Sequence, residues 1–372
     1  ELRGAYIYGD YSTGKIWAGK HDGQKVLWHR EIADTPFAIT GFGTDTNGNL
    51  IIIDDHSGFH CLRLNPQANQ TPIFPQKLSE TGLFKDAAHH QVATGVIPYS
   101  INVPHWTDGA ETLHFLAIPD EGQLGFSKNR GWDGPEGTVL LQTLSHGTKR
   151  IETRMLTKQD SEWIGYSYAW NKEQTDAILV DRDGNDLLLA GGRPWRIPSR
   201  AECMMCHSRA AKFTLGLTEL QMNRPRDFGH GPIGQIEGLA RLGVLAGAKL
   251  AEYRPDGKAV DRNLVNPHES KVALESRVRS YWQVNCAHCH VEAGGGNSKM
   301  ELEWGKTLAG TQTVDIDPVH TRFGLGPNAR IIAPGHPVNS VMLRRIISPG
   351  PGRMPPVGAV SPDPRWIGLF TQ

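Results

Sequence analysis

The sequence predicts a multidomain α+β protein: an N-terminal β-meander that is propeller-blade-like, a β-sandwich middle domain and an α-helical C-terminal module. Three observations predict this order. Short strands with glycine turns fill the first 65 or so residues, short apolar runs recur about every ten residues between 96 and 198, and helical periodicity begins after residue 200. The expected domain boundaries are 1–75, 76–200, 201–265 and 266–372.

The N-terminal part contains strands separated by short turns. Residues 5–8 and 15–18 flank a Ser-Thr-Gly turn, and Asn47-Gly48 between two apolar runs is a strong hairpin pattern. We expect one four-stranded propeller blade, with a small meander as the alternative. Cys61 lies in the last of these strands and is expected to be a small buried hydrophobe. A proline-rich linker follows at residues 65–75.

The middle part has apolar runs at 138–141, 163–168 and 177–180, separated by Asp-Gly turns. This spacing favours a sandwich or jelly roll over βαβ units. No GxSxG nucleophile elbow occurs in the sequence.

Helical patterns follow. Thr218 begins a short helix, and residues 233–242 carry apolar side chains at helical spacing. A longer amphipathic helix is expected to start at residues 266–269 and to bury Tyr281 and Trp282. Ser361 is expected to cap a last helix, whose Trp366 packs on the longer one.

Composition narrows the classes of partner. Lys+Arg and Asp+Glu number 39 each, and a pI near 7.4 gives no basic surface for nucleic acid. No run of residues approaches the roughly 18 apolar positions of a membrane helix. The chain begins Glu1-Leu2-Arg3-Gly4 without an apolar leader, which we interpret as the removal of a signal peptide or of a larger preceding part.

Four of the five cysteines fall in two copies of the pattern C-x-x-C-H. This pattern is the signature of c-type haem attachment, and composition alone predicts about 0.003 occurrences. The two thiols form thioether bonds to one porphyrin, and the adjacent histidine is the proximal iron ligand. The sequence therefore predicts two covalently attached haem c groups. Their expected ligands are Cys203, Cys206 and His207 for the first, and Cys286, Cys289 and His290 for the second.

Two other interpretations of the cysteine pairs are weaker. Zinc ribbons place their pairs about 15–20 residues apart, whereas Cys206 and Cys286 are 80 positions apart. A thioredoxin-like redox pair requires one C-x-x-C beside a βαβ unit, which the pattern lacks.

From Lys271 onward the chain resembles a class I cytochrome c. The resemblance consists of an amphipathic helix, the second haem motif, a glycine-rich loop, a methionine in a proline-rich loop and a closing helix. It implies that the C-terminal helical part is a c-type cytochrome module and that Met354 is the distal ligand of the second haem. Met342 and Met300 are the alternatives. His/Met ligation raises the reduction potential and closes the iron to substrates.

No single residue stands out as the distal ligand of the first haem. Met222 is a weak candidate, and His230, Met155 and His105 are equally open, as is a five-coordinate iron that binds a small ligand or peroxide.

The order of the whole chain resembles a family of secreted proteins that join a propeller like that of soluble sugar dehydrogenases to a β-domain and a c-type haem module. The segments that carry this resemblance are residues 8–17, 97–104 and 195–202. Most of the propeller, where a quinone and calcium would bind, is missing from these residues, so sugar oxidation is not implied.

These observations predict an exported dihaem c-type cytochrome, periplasmic or extracellular, that transfers electrons. Its expected partner is another redox protein, with a quinoprotein dehydrogenase as one candidate. The alternatives are a dihaem peroxidase-type enzyme with an open first haem, and a haem-bearing subunit of a homo-oligomeric or surface assembly.

Overall fold

The structure is a computed structural model that describes residues 2–33, 35, 37–63, 74–128, 130–249 and 262–372. Its contacts divide the chain into two compact units. Unit 1 comprises Glu1–Phe74 with Asp160–Glu162, and unit 2 comprises Pro75–Gln159 with Trp163–Gln372.

Unit 1 consists of two three-stranded antiparallel sheets. Ile16, Ile39 and Ile52 form its small core. The Asn47-Gly48 hairpin is confirmed, with Gly48 at φ 78°. The strands of the first sheet are β1 (Tyr6–Gly9), β2 (Ile16–His21) and β3 (Val26–Ala33), and those of the second are β4 (Ile39–Thr44), β5 (Leu50–Asp54) and β6 (Gly58–Cys61).

The expectation of one four-stranded blade is wrong, because β3 and β4 belong to different sheets. The segment between them makes its hydrogen bonds elsewhere. Thr35 Oγ1 donates to Gly14 O at 2.6 Å, and Ala38 N donates to Asp54 Oδ1 at 2.7 Å. Cys61 is exposed rather than buried, so that expectation is also wrong. Residues 64–73, which include most of the expected linker, lie outside the described residues.

A six-stranded sheet is the main element of unit 2. Its strand order is β15-β14-β13-β12-β10-β9, and a hydrophobic cluster containing Leu116, Trp132 and Leu239 packs at its side. The strands of this region are β7 (Phe84–Asp86), β8 (Gln91–Val92), β9 (Ile97–Tyr99), β10 (Glu111–Ala117), β11 (Leu124–Gly125), β12 (Val139–His146), β13 (Lys149–Gln159), β14 (Glu162–Trp170), β15 (Ala177–Leu179), β16 (Asn185–Leu189) and β17 (Arg193–Ile197).

The expected β-sandwich is wrong, because the long strands lie side by side in one sheet instead of in two stacked sheets. The turns explain this outcome. Two residues, Asp160 and Ser161, connect β13 to β14, and both have positive φ. Tight turns of this kind return the chain to the adjacent position in the same sheet.

After residue 199 the helices are short and widely separated. They are α1 (Arg200–Cys206), α2 (Glu219–Met222), α3 (Gln235–Arg241), α4 (Leu274–Asn285), α5 (Val341–Ile347) and α6 (Pro364–Phe370). Three small strands lie among them: β18 (Pro225–Asp227), β19 (Pro232–Gly234) and β20 (Leu245–Ala246). Short 3₁₀ helices cover Leu78–Thr81, Ala309–Thr311 and Pro337–Asn339.

The expected α-helical cytochrome module is wrong as a fold. Strands account for 30% of the protein and helices for 16%, and the longest described helix, α4, has 12 residues. Glycine and proline are frequent between α4 and α6, and both residues interrupt helices, which explains the long irregular segments there. Among the described helices, none has the length and apolar character needed to cross a membrane.

Some local predictions for these helices are confirmed and others are wrong. Thr218 caps α2, and Tyr281 and Trp282 are buried on α4. Trp366 stacks on Tyr281 with ring centroids 4.0 Å apart. However, α4 begins after Ala273 instead of at residues 266–269, and Asp363 rather than Ser361 caps α6.

Candidate functional site

The second cysteine motif continues from the end of α4. Cys286 N donates to Trp282 O at 2.9 Å, and His290 N donates to Cys286 O at 2.9 Å, so the motif forms a compact turn. The glycine-rich loop then passes directly over the histidine. A Cβ atom on Gly296 would lie 2.8 Å from His290 Nδ1, which means that only glycine permits this approach.

A cavity of about 250 Å³ lies beside this motif. Cys286, Cys289 and His290 line it, and so does Met354. The two alternative methionines, Met300 and Met342, also line it, as do the aromatic residues Trp106, Tyr281, Phe323 and Trp366. The structure therefore brings both predicted thioether cysteines, the predicted proximal histidine and the predicted distal methionine to one cavity.

The position of Met354 is set by its connection to α5. Met354 N donates to Arg345 O at 3.0 Å, and Arg345 Nε donates to Gly352 O at 2.8 Å. The Arg353 guanidinium hydrogen-bonds to the carbonyls of Ala359 and Val360. These bonds satisfy backbone groups of a proline-rich loop that has no regular structure, and they hold the loop at the cavity.

A segment from the sheet region fastens the C-terminal loop. Trp106 N donates to Asn285 Oδ1 at 2.8 Å, and Trp106 Nε1 donates to Ser361 O at 2.8 Å. The carboxylate of Asp108 accepts bonds from the backbone N–H groups of Val360 and Ser361 at 2.7–3.0 Å. The middle and C-terminal segments of unit 2 thus share the wall of the cavity.

The first cysteine motif occupies α1 and the residue after it. Ser199 Oγ accepts a bond from Glu202 N at 3.0 Å, and Ser199 N donates to Glu202 Oε2 at 2.6 Å, which forms a capping box. Arg196 Nη2 donates to the same carboxylate at 2.9 Å. These bonds fix the start of a helix that is only seven residues long.

The first motif packs against the sheet at a glycine. A Cβ atom on Gly165 of β14 would lie 2.6 Å from Cys203 Cβ and 3.0 Å from its Sγ. Nearby, the Arg200 guanidinium lies 4.7 Å from the centroid of the Tyr166 ring. The absence of a side chain at Gly165 therefore makes room for the first cysteine.

The ring of His207 is held by a hydrogen bond to a backbone carbonyl. Its Nδ1 lies 2.5 Å from Phe213 O, so this nitrogen carries the proton and donates it to the carbonyl. That tautomer leaves Nε2 with its lone pair, the arrangement common among metal-bound histidines. Burial lowers the pKa of His207 to about 4, which keeps the imidazole neutral at pH 7.

Burial and mutual contact shift the pKa values of the four thiols. Burial raises the pKa of Cys203 to about 11 and that of Cys286 to about 12. Cys206 and Cys289 hydrogen-bond to each other, which raises the pKa of Cys206 and lowers the pKa of Cys289. Cys289 Sγ donates to Met205 O at 3.6 Å, a contact that joins the two motifs.

His105 is the first-haem candidate that lies next to the second motif. Its ring centroid is 6.0 Å from that of His288, and a Cβ atom on Gly358 would lie 3.3 Å from His105 Cε1. Burial, the imidazole of His288, the Arg154 guanidinium and, least, the imidazole of His207 lower the pKa of His105 to about 3.

The other three candidates for the first distal ligand have different surroundings. Met222 is fully buried in the hydrophobic cluster against which Met204 packs, and Gln235 Nε2 donates to its Sδ at 3.5 Å. Met155 is buried on β13, and His230 is exposed in the loop between β18 and β19.

The residues at the two motifs fit a covalently attached haem. Each motif supplies two thiols and an imidazole, which is the required donor set. Gly165 and Gly296 leave room for these side chains, because a Cβ there would collide with Cys203 and with His290, respectively. Within the described residues, no cluster of three or more His, Cys, Asp or Glu side chains is arranged to hold a bare metal ion. A haem iron needs only its two axial ligands from the protein, because the porphyrin supplies the other four.

Sequence reasoning missed several residues of the site. The Asp-Gly turns of the middle part include Asp108-Gly109, and the carboxylate of Asp108 anchors the C-terminal loop, which the turn pattern does not predict. Gly165 and Trp106 carried no motif, because their importance comes from contacts with residues distant in the sequence. For Met354, the proline and glycine residues around it are the feature of the sequence that indicates a rigid loop.

Comparisons with protein families, with curated proteins and with solved structures each gave no match.

Proposed function

We propose that this protein is an exported dihaem c-type cytochrome that transfers electrons between redox partners. The observation that carries the proposal is the convergence of Cys286, Cys289, His290 and Met354 on one cavity. These residues come from both ends of a segment of about 70 positions, and only the folded chain brings them together. When bound, a haem held by an imidazole and a thioether supplies one-electron transfer.

In this proposal each side chain has a defined role. The thiols of Cys286 and Cys289 would hold the second haem, and His290 and Met354 would be the ligands that the protein supplies to its iron. Arg345 positions Met354 through the backbone bond at 3.0 Å. The buried aromatic pair of Tyr281 and Trp366 excludes water from the cavity.

The first haem is held by Cys203 and Cys206, with His207 as its proximal ligand. Phe213 O fixes the tautomer of His207 and orients its Nε2. We favour His105 over Met222 as the distal ligand. The His105 ring contacts that of His288, and the charge of His207 affects the pKa of His105. Met222, by contrast, is a core residue whose Sδ accepts a hydrogen bond from Gln235. A second axial ligand at this iron supports electron transfer over peroxide chemistry.

Attachment of haem to cysteine thiols requires an exported compartment, so the proposed location is periplasmic or extracellular. The proposed partner is a redox protein, and a quinoprotein dehydrogenase is one candidate for the electron donor.

The test is a spectroscopic redox titration of the full chain produced in a host that matures c-type cytochromes. We expect two haems that reduce and reoxidise reversibly, with no turnover of hydrogen peroxide and no carbon monoxide binding to the reduced protein. Rapid peroxide turnover, or carbon monoxide binding at the first haem, would instead assign a peroxidase-type enzyme. Absence of haem would refute both.

A further inference from the structure

The two haem motifs meet in space although 80 positions separate Cys206 from Cys286. Cys289 Sγ donates a hydrogen bond to Met205 O at 3.6 Å, and the side chains of Cys206 and Cys289 interact directly. Cys206 also lines the cavity of the second motif. The second cysteine of each motif is therefore at the same junction.

The two motifs are in direct contact at this junction. His288, which stands inside the second motif, is buried, and its Nδ1 finds no hydrogen-bond partner among the described residues. The His105 ring lies against it, with centroids 6.0 Å apart. The groups near the contact include the motifs themselves, one imidazole from the segment before β10 and the buried guanidinium of Arg154 on β13.

We propose that the thioether bonds formed by Cys206 and Cys289 are neighbours, so that the two porphyrins meet at the edges bonded to these residues and act as one electronically coupled pair. This inference rests on the proposed function and adds the arrangement of the two groups. Each bond forms when a thiol adds across a vinyl C=C: sulfur bonds to one carbon, the thiol proton ends on the other, and no oxidant is needed.

The arrangement has consequences for electron transfer. Electrons pass between the two groups inside one chain without an intervening partner. An electron added to one iron also acts on the other iron, because the distance is short and the surrounding dielectric constant is low. The reduction potential of each iron therefore depends on the oxidation state of the other.

Circular dichroism in the Soret region tests the proposal. Two porphyrins in contact give a bisignate signal that neither gives alone. We expect this signal in the wild-type holoprotein and in Cys61→Ser, a control that removes the exposed fifth cysteine. The single-haem variants C203S/C206S and C286S/C289S should each give a signal of one sign, and their sum should not reproduce the wild-type spectrum.

A wild-type spectrum equal to the sum of the single-haem spectra would overturn the pairing and leave the proposed electron-transfer function intact. A Cys206–Cys289 disulfide in the intact mass would also overturn the pairing. Failure to attach any haem would refute the proposed function and this inference together. Electron paramagnetic resonance of the oxidised wild type needs no variant: spin–spin interaction between the two irons supports the pair, and two independent signals contradict it.

Discussion

Gly165 on β14 is where the first haem motif contacts the six-stranded sheet. In Gly165→Ala the new Cβ would lie 2.6 Å from Cys203 Cβ and 3.0 Å from Cys203 Sγ. Ordinary carbon contacts lie at about 3.5–4.0 Å, so α1 must move away from the sheet by about 1 Å. Such a shift disturbs the thiol of Cys203 and the packing of Arg200 on Tyr166 together.

The size of the effect follows from the overlap. Forcing an extra carbon into a packed contact costs about 1–3 kcal/mol. The matched control is Gly125→Ala on β11, where the new Cβ would lie 3.8 Å from Asp133 O, an ordinary contact. Both substitutions remove the same backbone freedom from the unfolded chain, about 0.4–1 kcal/mol. The difference between the two variants therefore isolates the collision.

The assay is urea unfolding of the holoprotein followed by far-ultraviolet circular dichroism, together with the mass fraction of protein that carries two haems. We expect Gly165→Ala to be less stable than Gly125→Ala by about 1–3 kcal/mol and to lose haem at the first motif. Equal stabilities within about 0.5 kcal/mol, with full haem content in both variants, would contradict the close contact between Gly165 and Cys203 of α1.

Three further predictions concern the second motif and the core. Trp366→Ala removes a buried ring stacked on Tyr281 and should lower the free energy of unfolding by about 3–5 kcal/mol in urea titration, whereas Trp366→Phe should lose much less. Met354→Ala should lower the reduction potential of the second haem and allow carbon monoxide to bind it. Met300→Ala, in the same cavity, should leave the potential and carbon monoxide binding unchanged in a spectroelectrochemical titration. Equal effects of the two substitutions would contradict the assignment of Met354. Burial lowers the pKa of His114 to about 4, so the folded state holds a neutral ring, and its contribution to stability is full above pH 6.5 and is lost as the pH falls towards 4. His114→Asn should reduce the loss of unfolding free energy between pH 7 and pH 5 by about 2 kcal/mol, and an unchanged pH dependence would contradict the burial of this ring.

Local sequence patterns predicted individual strands and the haem motifs better than they predicted how these elements assemble. Asn47-Gly48 specifies its own hairpin, because both turn residues tolerate positive φ. The expected sandwich failed because strand spacing does not say whether the next strand joins the same sheet or a second one. The positive φ of Asp160 and Ser161 forms the tight turn that keeps the next strand in the same sheet. The residue types Asp and Ser do not by themselves predict this turn.

The candidate site divides in the same way. Spacing alone predicts the cysteines and histidines of both motifs as haem ligands, because two thiols three positions apart next to a histidine form a local chemical unit. The contact of Cys206 with Cys289 depends on the path of about 80 intervening residues, which no short pattern encodes. The expected cytochrome fold failed because the helical periodicity around Tyr281 and Trp366 covers only short segments of the C-terminal part.

Intact mass spectrometry of the full chain from a host that matures c-type cytochromes tests the central claim most directly. The wild type should exceed the mass of its polypeptide by two haem groups. The C203S/C206S and C286S/C289S variants should each exceed their polypeptide masses by one, and Cys61→Ser should keep both. A wild-type mass equal to that of the bare polypeptide, or a haem that remains when its cysteine pair is removed, would contradict the assignment of the two motifs.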